Sequence, residues 1–314
     1  MGMSNSIIYS KHSAEDRCGV AFFSSLLARQ LRASHVHNFH GFGTCEEFYV
    51  NMDILELRED EIVSLLNFVR SGAPKQTVLL MHDYRFTYLE DQLVGASDLV
   101  VNLSGEPGLQ EVAGDKMIEL YVPPLTEIPT LGLKKTTNRP VSLAFGFFTP
   151  GKKSFNRYVS FYEHMLRKYP DWYHIIVASS HEGDISSDSQ ILPRILNSSS
   201  IMFQGFLSGD MLAELTSVAD LGVCFYPTGI MVNNAAPASF FAQGKPVITT
   251  YGGLTPDDYR SFTLDADHLD DIDLTNLDAL AGLGANAVEY YRRNLTWEKF
   301  VVEIRTALAG PRPA

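Results

Sequence analysis

Blocks of apolar and polar residues follow one another along the chain, and their periodicity predicts strands and helices in alternation. Longer segments with apolar residues at helical spacing predict helices, at 20–32, 59–71, 155–169 and 289–308. Short apolar runs bounded by turn residues predict buried strands, at 6–10, 34–40, 77–81, 117–122, 141–147, 172–178, 221–225 and 247–250. This alternation is typical of parallel α/β sheets.

The stretch 201–253 gives the clearest pattern, reading strand, helix, strand, loop, helix, strand. Its loop, 227–234, follows the carboxyl end of a strand and leads into a helix. The unpaired amides and the dipole at a helix N-terminus favour an anion. Asn233 and Asn234 are good N-cap residues. The loop ahead of Ala235 is therefore a candidate binding site for a diphosphate.

Three other strand-to-helix turns carry residues that suit a ligand. Gly19 lets the backbone approach a ligand closely, although a glycine also serves the turn alone. His82 and Asp83 follow a buried strand at its carboxyl end, the edge at which open α/β sheets bind ligands. A surface histidine beside a capping aspartate explains that pair equally well. Lys152 and Lys153 either neutralise a phosphate or are simply solvated.

Composition and charge narrow the class of protein. The 314 residues suffice for two domains, and we place the linker in the polar, proline-bracketed segment 126–140. A formal net charge of -12 argues against non-specific binding to nucleic acid or to an anionic membrane. Three cysteines without a C-x-x-C motif indicate a reducing compartment. Without a signal peptide or a bilayer-spanning apolar run, the sequence predicts a cytoplasmic protein with no transmembrane segment.

Two groups of potential metal ligands are weak candidates. His35 and His37 lie near Cys45, but alternation along a strand places His40 on the opposite face. The acidic segment 265–274 has two D-x-D patterns, and such runs are usually solvated surface. We therefore predict no metal site.

The stretch 201–253 resembles the donor-binding half of the GT-B glycosyltransferases, especially the large retaining family 4. The resemblance rests on the order and spacing of several short motifs. They are Gly205-Phe206 before a helix, Ala219-Asp220 before an apolar strand, Tyr226-Pro227 after it, and A-x-G-x-P-V-I at 242–248.

The first half of the chain is similar to the same family. Gly19 and Val20 match its opening turn, and the apolar strand ending in His82 matches its H-D motif. The segment 96–104 follows its A-D-x-[VI]-[VI]-x-x-S pattern with one extra residue. The turn GFFTPGKKS resembles its G-R-x-x-P-x-K-G motif through Gly146, Pro150 and Lys152, with Phe147 in place of the arginine.

This resemblance implies an α/β chain with the GT-B fold, in which two Rossmann-like domains have parallel sheets facing across a cleft. The expected domains are an acceptor-side domain at 1–132, a donor domain at 140–290, and a helix at 291–309 that crosses back to the first domain. Loops of the first domain such as 41–52 would carry the acceptor pocket.

The resemblance also implies the site residues. His82 and Lys152 would be catalytic, His82 beside the donor sugar and Lys152 at the diphosphate. The expected donor-binding residues are Gly19, Val20, Gly146, Lys153, Gly205, Phe206, Asn233, Asn234, Ala235, Ala236 and Ser239. The donor is a substrate, of UDP or GDP type, and no cofactor is expected.

The implied activity is metal-independent transfer of a sugar, with retention, to a glycan, lipid-linked or small-molecule acceptor. Retaining members usually carry E-x7-E, but this chain has Met231 and Ser239 at those positions. The loss of both carboxylates favours the alternative, a non-catalytic GT-B homologue that serves as a binding or assembly partner. A sugar-nucleotide epimerase is a third hypothesis, weakened by the lack of clustered carboxylates. A homo-oligomer is compatible with the sequence.

Overall fold

The computed structural model describes residues 5–13, 19–39, 43–52, 57–126, 129–147, 155–179, 198–205 and 207–310. The chain divides into two compact units. Unit 1 comprises Met1–Val122 and Thr296–Ala314, and unit 2 comprises Pro123–Leu295. The described residues of each unit form a six-stranded, wholly parallel sheet.

The sheet of unit 1 has the strand order β2-β1-β3-β4-β5-β6. Its strands are β1 (Ser6–Tyr9), β2 (Ser34–Val36), β3 (Cys45–Met52), β4 (Pro74–Met81), β5 (Leu99–Asn102) and β6 (Met117–Glu119). The helices of this unit are α1 (Gly19–Leu31), α2 (Glu59–Arg70), α3 (Tyr88–Ala96), α4 (Leu109–Ala113) and, later in the chain, α9 (Trp297–Ala309).

Unit 2 has the strand order β12-β11-β10-β7-β8-β9. Its strands are β7 (Val141–Phe147), β8 (Tyr173–Ser179), β9 (Ile201–Gln204), β10 (Leu221–Cys224), β11 (Val247–Thr249) and β12 (Thr263–Asp265). Its helices are α5 (Phe155–Lys168), α6 (Gly209–Val218), α7 (Ala235–Ala242) and α8 (Leu277–Asn294). Counted within the unit, this is the 3-2-1-4-5-6 order of a Rossmann sheet, whose switch point lies between β7 and β10.

Two predictions about elements are wrong. The segment 41–52, read as a variable loop, contains β3, which pairs with both β1 and β4 in the middle of the sheet. The strand was not predicted because two charged residues near its start, Glu46 and Glu47, interrupt the apolar pattern. The closing helix is really two helices, because α8 ends at Asn294 and α9 begins at Trp297. Thr296 caps α9 by accepting a hydrogen bond from the amide of Lys299.

The contact of α8 with α7 depends on a glycine. A Cβ atom at Gly284 would lie 2.0 Å from the carbonyl oxygen of Gly244 and 3.3 Å from Cδ of Pro246. Gly284→Ala is therefore expected to lower the free energy of unfolding by about 1–3 kcal/mol through overpacking. Gly282→Ala, in the same helix with open space around it, is expected to raise it by about 0.5–1 kcal/mol. Denaturant titration measures both, and equal effects would contradict this account.

His174 on β8 is fully buried. Its Nδ1 lies 2.7 Å from Oγ of Ser142, and its Nε2 has no hydrogen-bond partner among the described residues. Burial, and secondarily the charge of Arg139, lowers the pKa of His174 from 6.5 to about 4. The neutral imidazole is thus the form that the fold tolerates.

This shift makes the fold sensitive to acid. Above pH 6.5 the imidazole is neutral in both the folded and the unfolded state, so it does not lower the free energy of unfolding. As pH falls from 6.5 to 4 the unfolded state binds the proton first, and unfolding becomes easier by about 3 kcal/mol in total. His174→Asn should remove that part of the pH dependence. Denaturation from pH 7 to 4.5 tests this, and parallel curves for the two proteins would contradict it.

Candidate functional site

A hydrogen-bonded network joins the ends of two central strands in unit 1. Nε2 of His82, just after β4, lies 2.8 Å from Oδ1 of Asn51 in β3. The amide nitrogen of Asn51 donates to Oγ of Ser24, at 2.6 Å, and to the carbonyl of Val20, at 3.1 Å. Since Oδ1 of Asn51 can only accept, Nε2 of His82 carries the proton.

Aromatic packing holds His82 from a second side. The Phe23 ring meets the imidazole edge-on, with ring centroids 5.3 Å apart and an interplanar angle of 87°. Phe23 in turn packs against Trp297 and Phe300 of α9, with centroid distances of 5.0 and 5.7 Å. The orientation of His82 is therefore fixed by β3, α1 and α9 together.

Gly19 and Val20 form the first turn of α1. The Val20 carbonyl is the acceptor that binds the Asn51 side chain, so this turn is linked to His82 through a single residue. Sequence reasoning missed Asn51 because it missed β3. The signal was present in the apolar run Phe48–Val50, which ends in a polar residue just as the run before His82 does.

In unit 2, Gly146 lies near the end of β7, and the residues from Asn233 to Ala236 follow β10; these are the two strands at the switch point of the sheet. Gly146, next to the last residue of β7, has φ +123°, which glycine adopts readily and L side chains rarely do. The loop after β10 leads to Asn234, the N-cap of α7. The amides of Ala235 and Ala236 belong to the first turn of α7, where amides have no partner within the helix.

The side chains of the two asparagines form hydrogen bonds within the loop and do not cap α7. Oδ1 of Asn234 accepts from the amide of Met231, at 2.7 Å, and its Nδ2 donates to Oδ1 of Asn233, at 3.0 Å. The Asn234 side chain makes no capping hydrogen bond to α7. The prediction that these residues cap the helix is thus wrong for the side chain, although Asn234 does occupy the N-cap position.

Backbone contacts with the next loop fix the path of this one. Oγ1 of Thr250 accepts from the amide of Tyr226 and donates to its carbonyl, at 3.0 and 2.7 Å. The amide of Ile230 donates to the carbonyl of Thr250, at 2.8 Å. Gly229 and Gly252 touch backbone to backbone, and a Cβ at Gly229 would lie 2.3 Å from the amide nitrogen of Gly252. The first turn of α7 is therefore presented by a rigid loop.

Ser239 is buried within α7, and its hydroxyl is used by its own chain. It donates to the carbonyl of Ala235, at 3.0 Å, and accepts from the amides of Leu125 and Thr126, at 3.2 and 3.4 Å. Gly205 is exposed and directly follows β9, the edge strand at the opposite side of the sheet from β12. Lys152, Lys153 and Phe206 lie outside the described residues, and their roles remain predictions.

Within the part of the chain that the structure describes, no three His, Cys, Asp or Glu side chains gather as metal ligands do. His35 lies 2.7 Å from Oγ of Ser10, and burial, with His37 nearby, lowers its pKa. His40 lies outside the described residues. The acidic segment forms an exposed 3₁₀ turn, Ala266–Asp271, in which Asp267 pairs with Arg157. No helix in the described ranges is long and apolar enough to cross a membrane.

Comparison with solved structures gives full-length matches, although no family model and no curated protein sequence matches the chain. HepE from Anabaena, in complex with UDP-glucose, matches with a TM-score of 0.67 and 13% identity over 97% of this chain and 99% of that one. The trehalose-6-phosphate protein from E. coli, bound with UDP-2-fluoro glucose, matches with a TM-score of 0.62 and 10% identity over 98% and 100%. A glycosyltransferase from Rickettsia africae matches with a TM-score of 0.60 and 13% identity over 98% and 99%.

The chain has the GT-B fold. Its two parallel sheets are the two Rossmann-like domains that the resemblance implied, so the predicted fold class is confirmed at this level. In this GT-B chain the loop leading to α7 follows β10, one of the two strands at the switch point of unit 2, and the sequence singled out this loop for a diphosphate.

Proposed function

We propose that the protein is a glycosyltransferase that takes its sugar from a nucleoside diphosphate sugar, with UDP-glucose as the first donor to test. The observation that carries the proposal is the end-to-end match to HepE in complex with UDP-glucose. The E. coli protein bound with UDP-2-fluoro glucose is also matched along its whole length. In support, the first turn of α7 in unit 2 offers the unpaired amides and the helix dipole that favour a diphosphate.

In this proposal the leaving diphosphate binds at the amides of Ala235 and Ala236, where the dipole of α7 opposes its developing charge. A bond forms between the acceptor oxygen and the anomeric carbon while the bond from that carbon to the diphosphate oxygen breaks. The acceptor hydroxyl attacks from the face that the diphosphate leaves, which gives retention. Its proton passes to the departing diphosphate, so the step needs no separate base and no metal. Lys152 adds positive charge at the diphosphate, and His82 is the residue of unit 1 that we assign to the donor sugar.

We also place the protein in the cytoplasm. The cysteines that the structure describes, Cys45 and Cys224, are buried free thiols, which suits a reducing compartment. The acceptor is a saccharide, a lipid-linked sugar or a small molecule.

Thermal denaturation with UDP, GDP and UDP-glucose tests the proposal. A ligand present at about one hundred times its dissociation constant should add about 2.7 kcal/mol to the free energy of unfolding. UDP and UDP-glucose are expected to raise the melting temperature, and UDP release in the presence of acceptor then measures turnover. The proposal fails if none of the three ligands changes the melting temperature.

One observation favours the alternative of a non-catalytic homologue. Ser239 stands where retaining enzymes of this type carry a glutamate, and its hydroxyl is fully engaged with Ala235 and with the segment Leu125–Thr126. A protein that binds UDP-glucose but releases no UDP with any acceptor would support this alternative.

A further inference from the structure

The loop between β4 and α3 displays two aromatic rings to solvent. Phe86 is 60% exposed and Tyr88, the first residue of α3, is 73% exposed. Single exposed apolar side chains are common, but two exposed aromatic rings within three residues form a candidate recognition surface. We call the rings of Phe86 and Tyr88 the aromatic shelf.

The backbone at Phe86 is held in an unfavourable conformation. Its φ of +59° is left-handed, a region that costs a bulky residue energy and is seen where function requires it. The neighbouring Gly108 leaves room for the ring, because a Cβ there would lie 2.5 Å from Cε1 of Phe86. The Phe86 ring also packs on Tyr84, with centroids 4.6 Å apart.

Carboxylates fix the rest of the loop. Glu90 is fully buried and accepts from the amides of Arg85, at 3.1 Å, and Thr87, at 2.8 Å. Asp83 accepts from the amide of Tyr84 and from Nε of Arg85, at 2.9 and 2.7 Å. These hydrogen bonds order the loop before any ligand binds. Binding of a ligand on the shelf therefore costs little conformational entropy of the loop.

The position and surroundings of the shelf indicate what binds there. Phe86 follows His82 by four positions along the chain, so the two Cα atoms lie at most roughly 14 Å apart, within reach of the proposed reaction site. The Asp83–Arg85 pair beside the shelf is partly exposed and offers both donors and acceptors. A pyranose ring has an apolar C–H face and a rim of hydroxyl groups, which suits an aromatic surface flanked by polar groups.

We propose that the aromatic shelf binds a pyranose ring of a saccharide acceptor. This inference deepens the proposed function and rests on it. It makes Phe86 and Tyr88 specificity-determining residues that act on acceptor affinity. They take no part in donor binding or in the chemical step.

The test uses Phe86→Asn, Tyr88→Ala and a control, Val63→Ala, which removes another exposed apolar side chain from unit 1. The probe is an equimolar mixture of glucose, galactose, N-acetylglucosamine, maltose and lactose. Saturation-transfer NMR detects binding of this mixture without any donor. UDP release from UDP-glucose, titrated with the mixture, gives the half-saturating saccharide concentration and the maximal rate.

We expect the mixture to raise UDP release by the wild-type protein above hydrolysis. Phe86→Asn and Tyr88→Ala should raise the half-saturating concentration about tenfold and weaken saturation transfer, with the maximal rate and UDP binding unchanged. Phe86→Asn should not lower the melting temperature, because asparagine adopts positive φ more readily than phenylalanine. Val63→Ala should behave as wild type.

The inference is overturned if the saccharides neither bind nor stimulate UDP release, or if the two shelf variants bind them as wild type does. A lower melting temperature or an altered oligomeric state in Phe86→Asn would show instead that the ring serves packing or self-association. A third outcome separates this inference from the proposed function. If the wild-type protein binds the saccharides but not UDP, and the two shelf variants no longer bind the saccharides, the proposed function fails while the shelf remains a sugar site.

Discussion

His82→Ala is expected to lower the rate of sugar transfer by about 10²-fold or more, while the affinity for UDP stays unchanged. The reason is the position of the imidazole, which Asn51 and Phe23 hold at the carboxyl end of β4 in unit 1. The diphosphate contacts proposed above belong to unit 2. Single-turnover transfer from UDP-glucose and UDP binding by calorimetry measure the two effects separately.

Two variants sharpen this test. Asn51→Ala retains the imidazole but removes the hydrogen bond that helps to orient it, so it should lower the rate less than His82→Ala does. His268→Ala, which removes an exposed histidine from unit 2, should have no effect. An equal loss of UDP affinity and rate in His82→Ala would show that His82 has been placed at the wrong part of the donor.

The sequence predicted those elements whose pattern is local. Buried parallel strands such as β4 read as apolar runs, and the Rossmann alternation followed from their spacing. β3 was missed because Glu46 and Glu47, at its exposed start, broke the apolar pattern. The division between α8 and α9 was missed because one helical periodicity runs through both.

The candidate site was predictable only where it depends on backbone position. Asn234 begins α7, as its type and place suggest, and Gly146 has the positive φ that suits glycine at the end of β7. The hydrogen bond between Asn51 and His82 joins residues 31 positions apart, and a single sequence does not reveal such partners. The same is true of Ser239, whose bonds to Leu125 and Thr126 span more than a hundred residues.

Gly252→Ala is expected to lower kcat/KM for UDP-glucose by about 10²-fold, because it displaces the loop that presents the first turn of α7. A Cβ atom at Gly252 would lie 1.9 Å from the carbonyl oxygen of Thr228, a backbone atom that cannot move without shifting the loop. Overpacking should also cost about 1–3 kcal/mol of stability. Steady-state kinetics, together with UDP titration, measure the loss.

Gly253→Ala is the matched control. It adds the same methyl group one residue along the same loop, where nothing lies within 4 Å of the new atom. Kinetics and stability close to wild type are therefore expected. If Gly252→Ala keeps full UDP affinity despite the steric conflict, the diphosphate does not depend on the path of the loop from Pro227 to Asn234. The first turn of α7 would then lose its place in the proposed mechanism.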